Sequence, residues 1–316
     1  MSETPPSILA IGAAHLDRRA RSSTPFQKGA SNPGVVTETV GGAAFNAALA
    51  MRLFGARVRL CTTRGGDLAG ERVAEAVEAA CIDEHAFVWL DRTTATYNAI
   101  LDDRGDLVAG IADMAIYDLL GRRLLRQRRV RLELAEAGGL LLDANLSAET
   151  IAHLLARFGE RPTAAIAVSP AKAMRLSASL PRLGTLFLSR AEAATLVEMT
   201  PATDAARLAQ NLVDMGVRRA VVTDGPHDAA LIEDGAIHLQ APPAVASLRD
   251  VTGAGDTLAG VAFQAIVAGR PFLEAARLGM AAASRRISMD ASETGETVDT
   301  IARTMEAMAP PRSLAS

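Results

Sequence analysis

Asp250-Val251-Thr252-Gly253-Ala254-Gly255-Asp256 runs directly into Thr257-Leu258-Ala259-Gly260-Val261-Ala262-Phe263-Gln264-Ala265-Ile266, joining a flexible turn to an acidic residue and an amphipathic helix. Leu258, Val261, Ala262, Ala265 and Ile266 keep one helical face, with Gly269 at the expected end and Pro271 just beyond, so the pattern predicts a helix over residues 256–268 that begins at Asp256. Glycines at 253 and 255 let the backbone turn sharply and aim unpaired N–H groups at an anion, where the helix dipole adds partial positive charge. Such a cradle suits the charge that develops on a phosphoryl group in transfer. A carboxylate beside it suits a base that takes the proton of an attacking alcohol. A bare G-x-G-D also describes a helix that an Asp merely caps.

Outward from this stretch, short apolar runs alternate with helical patterns. Residues 8–13, 58–62, 139–143, 164–168, 185–188 and 220–223 read as buried strands. Helices are expected over 43–53, 68–80, 148–158, 190–197, 203–215, 272–289 and 298–308. This alternation implies a mostly parallel sheet with helices on both faces. Residues 85–89, 94–101 and 107–113 break the rhythm as extended segments, and Asp102-Asp103-Arg104-Gly105-Asp106 reads as a hairpin turn, so the region forms either a flap over a substrate or a peripheral hairpin. In Gly41-Gly42-Ala43-Ala44-Phe45-Asn46, two glycines enter a helix and admit a ligand closely, and Asn46 can both donate to and accept from a hydroxyl. Asp17, after the first strand, offers a carboxylate acceptor for vicinal hydroxyls.

Composition bounds the possibilities. With 316 residues, 49% hydrophobic content, net charge −3 and mean hydropathy +0.16, the chain can bury a sizeable core in one large α/β domain. No apolar run approaches the roughly 20 residues needed to cross a bilayer, and the N-terminus lacks a signal-peptide pattern, so a cytoplasmic protein without a membrane partner is expected. Cys61 and Cys81 stand among apolar neighbours and read as buried free thiols in a reducing compartment. Arg122, Arg123 and residues 126–131 form a basic cluster, but aromatic residues make up only 3% and do not interleave with it. A solvated helix face is expected there, and no nucleic-acid polymer as partner.

The pattern D-x-T-G-A-G-D, with its small-residue helix about four-fifths along the chain, resembles the C-terminal signature of the ribokinase-like (PfkB) carbohydrate kinases. In that family an Asp after the first strand and a G-G-x-x-x-N motif bind the acceptor sugar, and Asp17, Gly41, Gly42 and Asn46 match them. The resemblance implies one domain over residues 1–316, a three-layer α/β/α fold with a central mostly parallel sheet and a small β-flap lid from roughly 14–40 and 85–115. It implies ATP and Mg2+ as cofactors, Asp256 as base, and the amides of Gly253, Ala254 and Gly255 as an anion hole. Ser189, Thr223 and Gly225 would meet the nucleotide, Glu192 would help hold Mg2+ indirectly, and Asp250 and Thr252 would serve a monovalent cation such as K+. Analogy with relatives through the flap implies a homodimer.

Residues 31–34, 96–107, 111–114, 142–146 and 169–172 further resemble the pseudouridine kinases of this family. That implies a nucleoside acceptor, its ribose held by Asp17 and Asn46 and its base near the flap and Asp113, with Asn145 also among the substrate-binding residues. Pseudouridine keeps a free N1–H, so an acceptor such as Asp113 would reject uridine by being left unpaired. Three positions depart from the pattern. Ser189 replaces the Asn of N-x-x-E, Asp228 replaces the last Gly of T-x-G-x-x-G and adds negative charge near the phosphates, and Phe45 stands where pseudouridine-kinase-like chains commonly carry Arg.

Absences exclude other chemistries: there is no G-x-x-x-x-G-K-[ST], no H-R-D loop, and no H-E-x-x-H among five scattered histidines. Ile11-Gly12-Ala13-Ala14-His15 lacks the further glycines of a dinucleotide fingerprint. The expectation is therefore an ATP-dependent kinase acting on the 5′-hydroxyl of a ribonucleoside, pseudouridine foremost. A kinase for another nucleoside or a sugar, and a catalytically weak nucleoside-binding relative, stand as alternatives.

Overall fold

The computed structural model describes residues 5–121, 127–245, 248, 251–288 and 298–314. Runs such as Gly139–Asp143, buried at every position, are what a parallel strand covered on both faces requires. The strands are β1 (Ser7–Ile11), β2 (His15–Ser22), β3 (Gly34–Gly41), β4 (Arg57–Gly65), β5 (Asp83–Trp89), β6 (Thr96–Leu101), β7 (Leu107–Asp113), β8 (Gly139–Asp143), β9 (Thr163–Ile166), β10 (Thr185–Ser189), β11 (Arg219–Asp224), β12 (His227–Glu233), β13 (Ala236–Gln240) and β14 (Arg312–Ser313). Ten of them form one sheet in the order β14-β13-β12-β11-β10-β9-β8-β1-β4-β5. From β5 through to β11 every pairing is parallel, and β12, β13 and β14 add an antiparallel edge.

Side chains of β1 alternate between two apolar layers. Leu9 and Ile11 face a cluster with Ile151, Leu154, Leu208 and Leu212 from the helices Ala148–Phe158 and Ala205–Asp214. Ile8 and Ala10 face another with Met51, Phe263 and Leu278 from the helices Ala43–Leu53, Ala254–Val267 and Phe272–Arg286. Three layers therefore result, helix on sheet on helix. Among the described residues no helix is long and apolar enough to cross a membrane.

A second sheet is ordered β3-β2-β6-β7, with β6 and β7 joined by the expected turn, where Asp102 accepts from the N–H groups of Arg104 and Asp106. Residues 85–89, grouped with the flap in sequence, instead lie in β5, which pairs in parallel with β4 at the edge of the main sheet. The reason is burial: His85 packs inward against Glu133 at 2.8 Å and stacks on Phe87. Cys61 is buried as expected but Cys81 is exposed, in a positive-φ turn (φ 53) between the helix Leu68–Ala79 and β5. The helix Arg128–Glu136 carries the solvated face expected of the basic cluster and buries only Val130, Glu133 and Leu134. Its Arg128, Arg129 and Arg131 are solvated as expected, while residues 122–126 lie outside the described residues.

Candidate active site

Two helices cross almost backbone to backbone. A Cβ on Gly260 would lie 2.4 Å from the carbonyl oxygen of Ala47, so only glycine lets the helix Ala254–Val267 approach the helix Ala43–Leu53 this closely. That crossing brings the N-terminal turns of both helices together, and Asn46 Nδ2 donates to Asp256 Oδ2 at 2.9 Å. Gly253 supplies the left-handed turn (φ 75) that caps the second helix. The helix starts at Ala254, not at Asp256 as the periodicity suggested, and Asp256 sits in its first turn. Of the opening N–H groups, that of Ala254 donates to Val251 O at 3.3 Å, while those of Gly255 and Asp256 have no acceptor within the helix, an arrangement suited to an anion.

Asp256 keeps an edge open to a cavity while protein surrounds the rest of it. Burial lifts its carboxyl to about 6. The charges of Asp143 and Glu192 add to the rise, while the Asn46 amide and His15 oppose it. Such a carboxyl is ionised at pH 7–8 yet basic enough to take a proton.

In the second sheet, Asp17 Oδ1 lies 3.2 Å from His15 Nε2, and a Cβ on Gly41 would strike Asp17 Oδ2 at 2.3 Å. Gly42 takes φ 114 and has no room for a side chain against Ala13. Arg19, on the same face of β2 as Asp17, donates from Nη2 to Thr252 Oγ1 at 2.6 Å, so this face looks onto the turn before Asp256. Register places Asp17 with Tyr97 and Ala112, and Leu16 with Thr96 and Asp113 on the other face. Asp113 is therefore exposed and turned away from Asp17, and the structure does not bring it to the acceptor end as expected. Asn145 is buried next to that end, and its Oδ1 accepts from Lys172 Nζ at 2.5 Å. Phe45 is buried in the apolar layer behind the helix.

A cavity of about 320 Å³ opens on the other side of Asp256, lined by Ser189, Glu192, Thr223, Gly253 and Gly255 among others. Ser189 and Glu192 form a capping box: Ser189 N–H donates to Glu192 Oε2 at 2.6 Å, and Ser189 Oγ accepts from Glu192 N–H. The hydroxyl thus does local work that an Asn would also do. Burial raises the Glu192 carboxyl above the usual range, against the hydrogen bonds from Ser189. Gly225 (φ 56) lies at the exposed tip of the tight β11–β12 turn and does not line this cavity, since Asp224 pairs with His227 across it. Asp228, expected to burden the phosphates with negative charge, pairs with Arg312 Nη2 at 2.6 Å. Asp250 lies outside the described residues, and Thr252 is engaged by Arg19. Among the described residues no three His, Cys, Asp or Glu side chains are grouped to hold a metal. The donor set present, Glu192 at the cavity wall, fits a Mg2+ that relies mainly on substrate phosphates.

Sequence reasoning missed Arg19 and Asp143. Arg19 carried no motif, and the partners of Asp143 at the end of β1 become visible only once the ends of β1 and β8 are adjacent.

The sequence pattern of the pfkB family carbohydrate kinases matches residues 5–297. Pseudouridine kinase of Escherichia coli (strain K12) is 25% identical over 286 residues, covering 90% of this chain and 91% of that protein. Guanosine-inosine kinase of Exiguobacterium acetylicum is 27% identical, covering 89% and 94%. The solved structure of a carbohydrate kinase from Agrobacterium tumefaciens superposes with TM-score 0.86 at 37% identity, covering 98% of this chain and 100% of that one.

Proposed function

Because the chain belongs to the pfkB family of carbohydrate kinases and has the ribokinase-like fold, using ATP as that family does, we propose that it transfers the γ-phosphoryl group to the 5′-hydroxyl of a ribonucleoside, pseudouridine foremost. One observation carries the reading: the Asn46–Asp256 hydrogen bond places a raised carboxyl at a glycine-capped helix N-terminus, between a lidded end and an open cavity.

In this reading the acceptor ribose lies under the lid with Asp17, Asn46 and Asn145, and ATP lies in the cavity along Ser189 and Thr223. The Asp256 oxygen not committed to Asn46 accepts the hydroxyl proton as the oxygen attacks the γ-phosphorus. The new O–P bond forms as the bond to the β–γ bridging oxygen breaks, and ADP leaves with that electron pair. Charge on the moving group is met by the N–H groups at the helix start, which need no reorganisation. Glu192 would help hold a Mg2+ that arrives with ATP, and the ion would supply charge neutralisation. A nucleoside acceptor draws support from two relatives named for nucleosides at similar identity. The likeness to guanosine-inosine kinase supports a purine nucleoside as the second reading.

ADP release with ATP and Mg2+ is the test, across pseudouridine, uridine, cytidine, adenosine, inosine, guanosine, ribose and fructose 6-phosphate, with and without K+. Selective turnover of pseudouridine is expected. Preference for inosine or guanosine selects the second reading, and turnover of free ribose alone removes the nucleoside assignment.

A further inference from the structure

Asp143 ends β8 with 0% of its surface exposed, does not line the cavity beside Asp256, and takes no part in the transfer described above. Its Oδ2 accepts from the N–H of Ala13 at 2.8 Å and from the N–H of Ala44 at 3.2 Å, and its Oδ1 accepts from the N–H of Asn145 at 2.9 Å. Ala13 follows β1, and Ala44 is the second residue of the helix Ala43–Leu53, where a backbone N–H has no partner within the helix. A buried carboxylate is costly unless donors surround it, and here three main-chain donors and a helix N-terminus do so. The packing leaves it one place: a Cβ on Gly12 would lie 2.4 Å from its Cγ and Oδ2.

We propose that Asp143 is the positioning residue of this site, pinning the first turn of the helix Ala43–Leu53 to the end of β1 and so aiming Asn46 at Asp256. Ala44 and Asn46 are two residues apart on one turn, the Phe45 N–H donates to Ala13 O at 3.1 Å, and Asn46 Nδ2 reaches Asp256. A pin at Ala44 therefore sets where the Asn46 amide lies. An Asn at 143 has one accepting oxygen and an NH2 group, so at least one of the three N–H donors would face another donor. The proposal rests on Asp256 being the base.

The test compares Asp143→Asn, Asn46→Ala and the double variant in the full chain, using whichever acceptor the nucleoside panel identifies. Asp143→Asn is expected to lower kcat roughly tenfold or more, with the KM values for acceptor and ATP changed less than about threefold. In the Asn46→Ala background the same substitution should cost much less, because the positioning effect passes through Asn46 and only the loss of the Asp143 charge, which helps raise the Asp256 carboxyl, remains. Gly12→Ala displaces the carboxylate without removing it and serves if Asp143→Asn does not fold. It should give a smaller kcat loss that also vanishes with Asn46→Ala. Losses that multiply independently of Asn46, full kcat in a folded variant, or a rise confined to acceptor KM would each overturn the proposal. Failure of the base assignment is separate: it appears as turnover surviving in Asp256→Asn.

Discussion

The two sides of Asp256 are built differently. On the acceptor side, buried main-chain donors, close-approach glycines and the carboxylate of Asp143 fit one another so closely that Gly12, Gly41, Gly42 and Gly260 each lack room for a side chain. On the nucleotide side the cavity is walled by the ends of β9, β10 and β11 and the start of the helix Ala254–Val267, with Ser189 and Thr223 half-buried. There two departures from the family pattern are absorbed locally, Ser189 as a helix cap and Asp228 by pairing with Arg312. Tolerance follows from solvent: a partly exposed group can exchange one partner for another or for water, whereas a buried one cannot.

Substitutions can break this contrast, and the largest effect is expected at its centre. Asp256→Asn should lower kcat by about 10³-fold while acceptor binding, read by thermal stabilisation, is kept. It should also raise the melting temperature at pH 8, because burial disfavours the ionised carboxyl that the amide replaces; a variant that turns over normally would remove the base role. Asn46→Ala comes next, with kcat down about tenfold to a hundredfold. Without the amide bond that favours its ionised form, Asp256 should titrate higher, and the acid limb of the pH–rate profile should move up from near 6. In the unmodified protein, turnover should fall as pH drops through about 6, because protonated Asp256 cannot accept the hydroxyl proton. An unchanged limb in Asn46→Ala would detach that hydrogen bond from the chemistry.

The open side should respond less. Glu192→Gln should raise the KM for MgATP by about tenfold and leave acceptor binding alone. Asp228→Gly should change the KM for ATP by less than about twofold, since its partly exposed pair with Arg312 contributes little. A tenfold improvement would instead show that Asp228 repels the nucleotide despite its partner.

Local patterns carried much of the fold. The helices Ala43–Leu53 and Ala148–Phe158 and the strand β8 have the bounds that their periodicity and flanking residues predict, because each buries a continuous apolar face. The start of the helix Ala254–Val267 was misplaced by two residues because its cap is a left-handed Gly253, a backbone state that apolar spacing does not report. The segment now seen as β5 looked like part of the flap because strand identity says nothing of strand partner.

From the sequence alone came the alternating architecture, the glycine turn before Asp256 and the helix bearing Asn46, since these depend on residue type and spacing within a few turns. Only the tertiary structure decided that Asp113 faces away from Asp17, that Arg312 answers Asp228, and that Asp143 lies beneath the Asn46 helix. Each of those depends on register and burial between segments far apart in the chain, and a charged side chain becomes costly, and so informative, only when its surroundings are known.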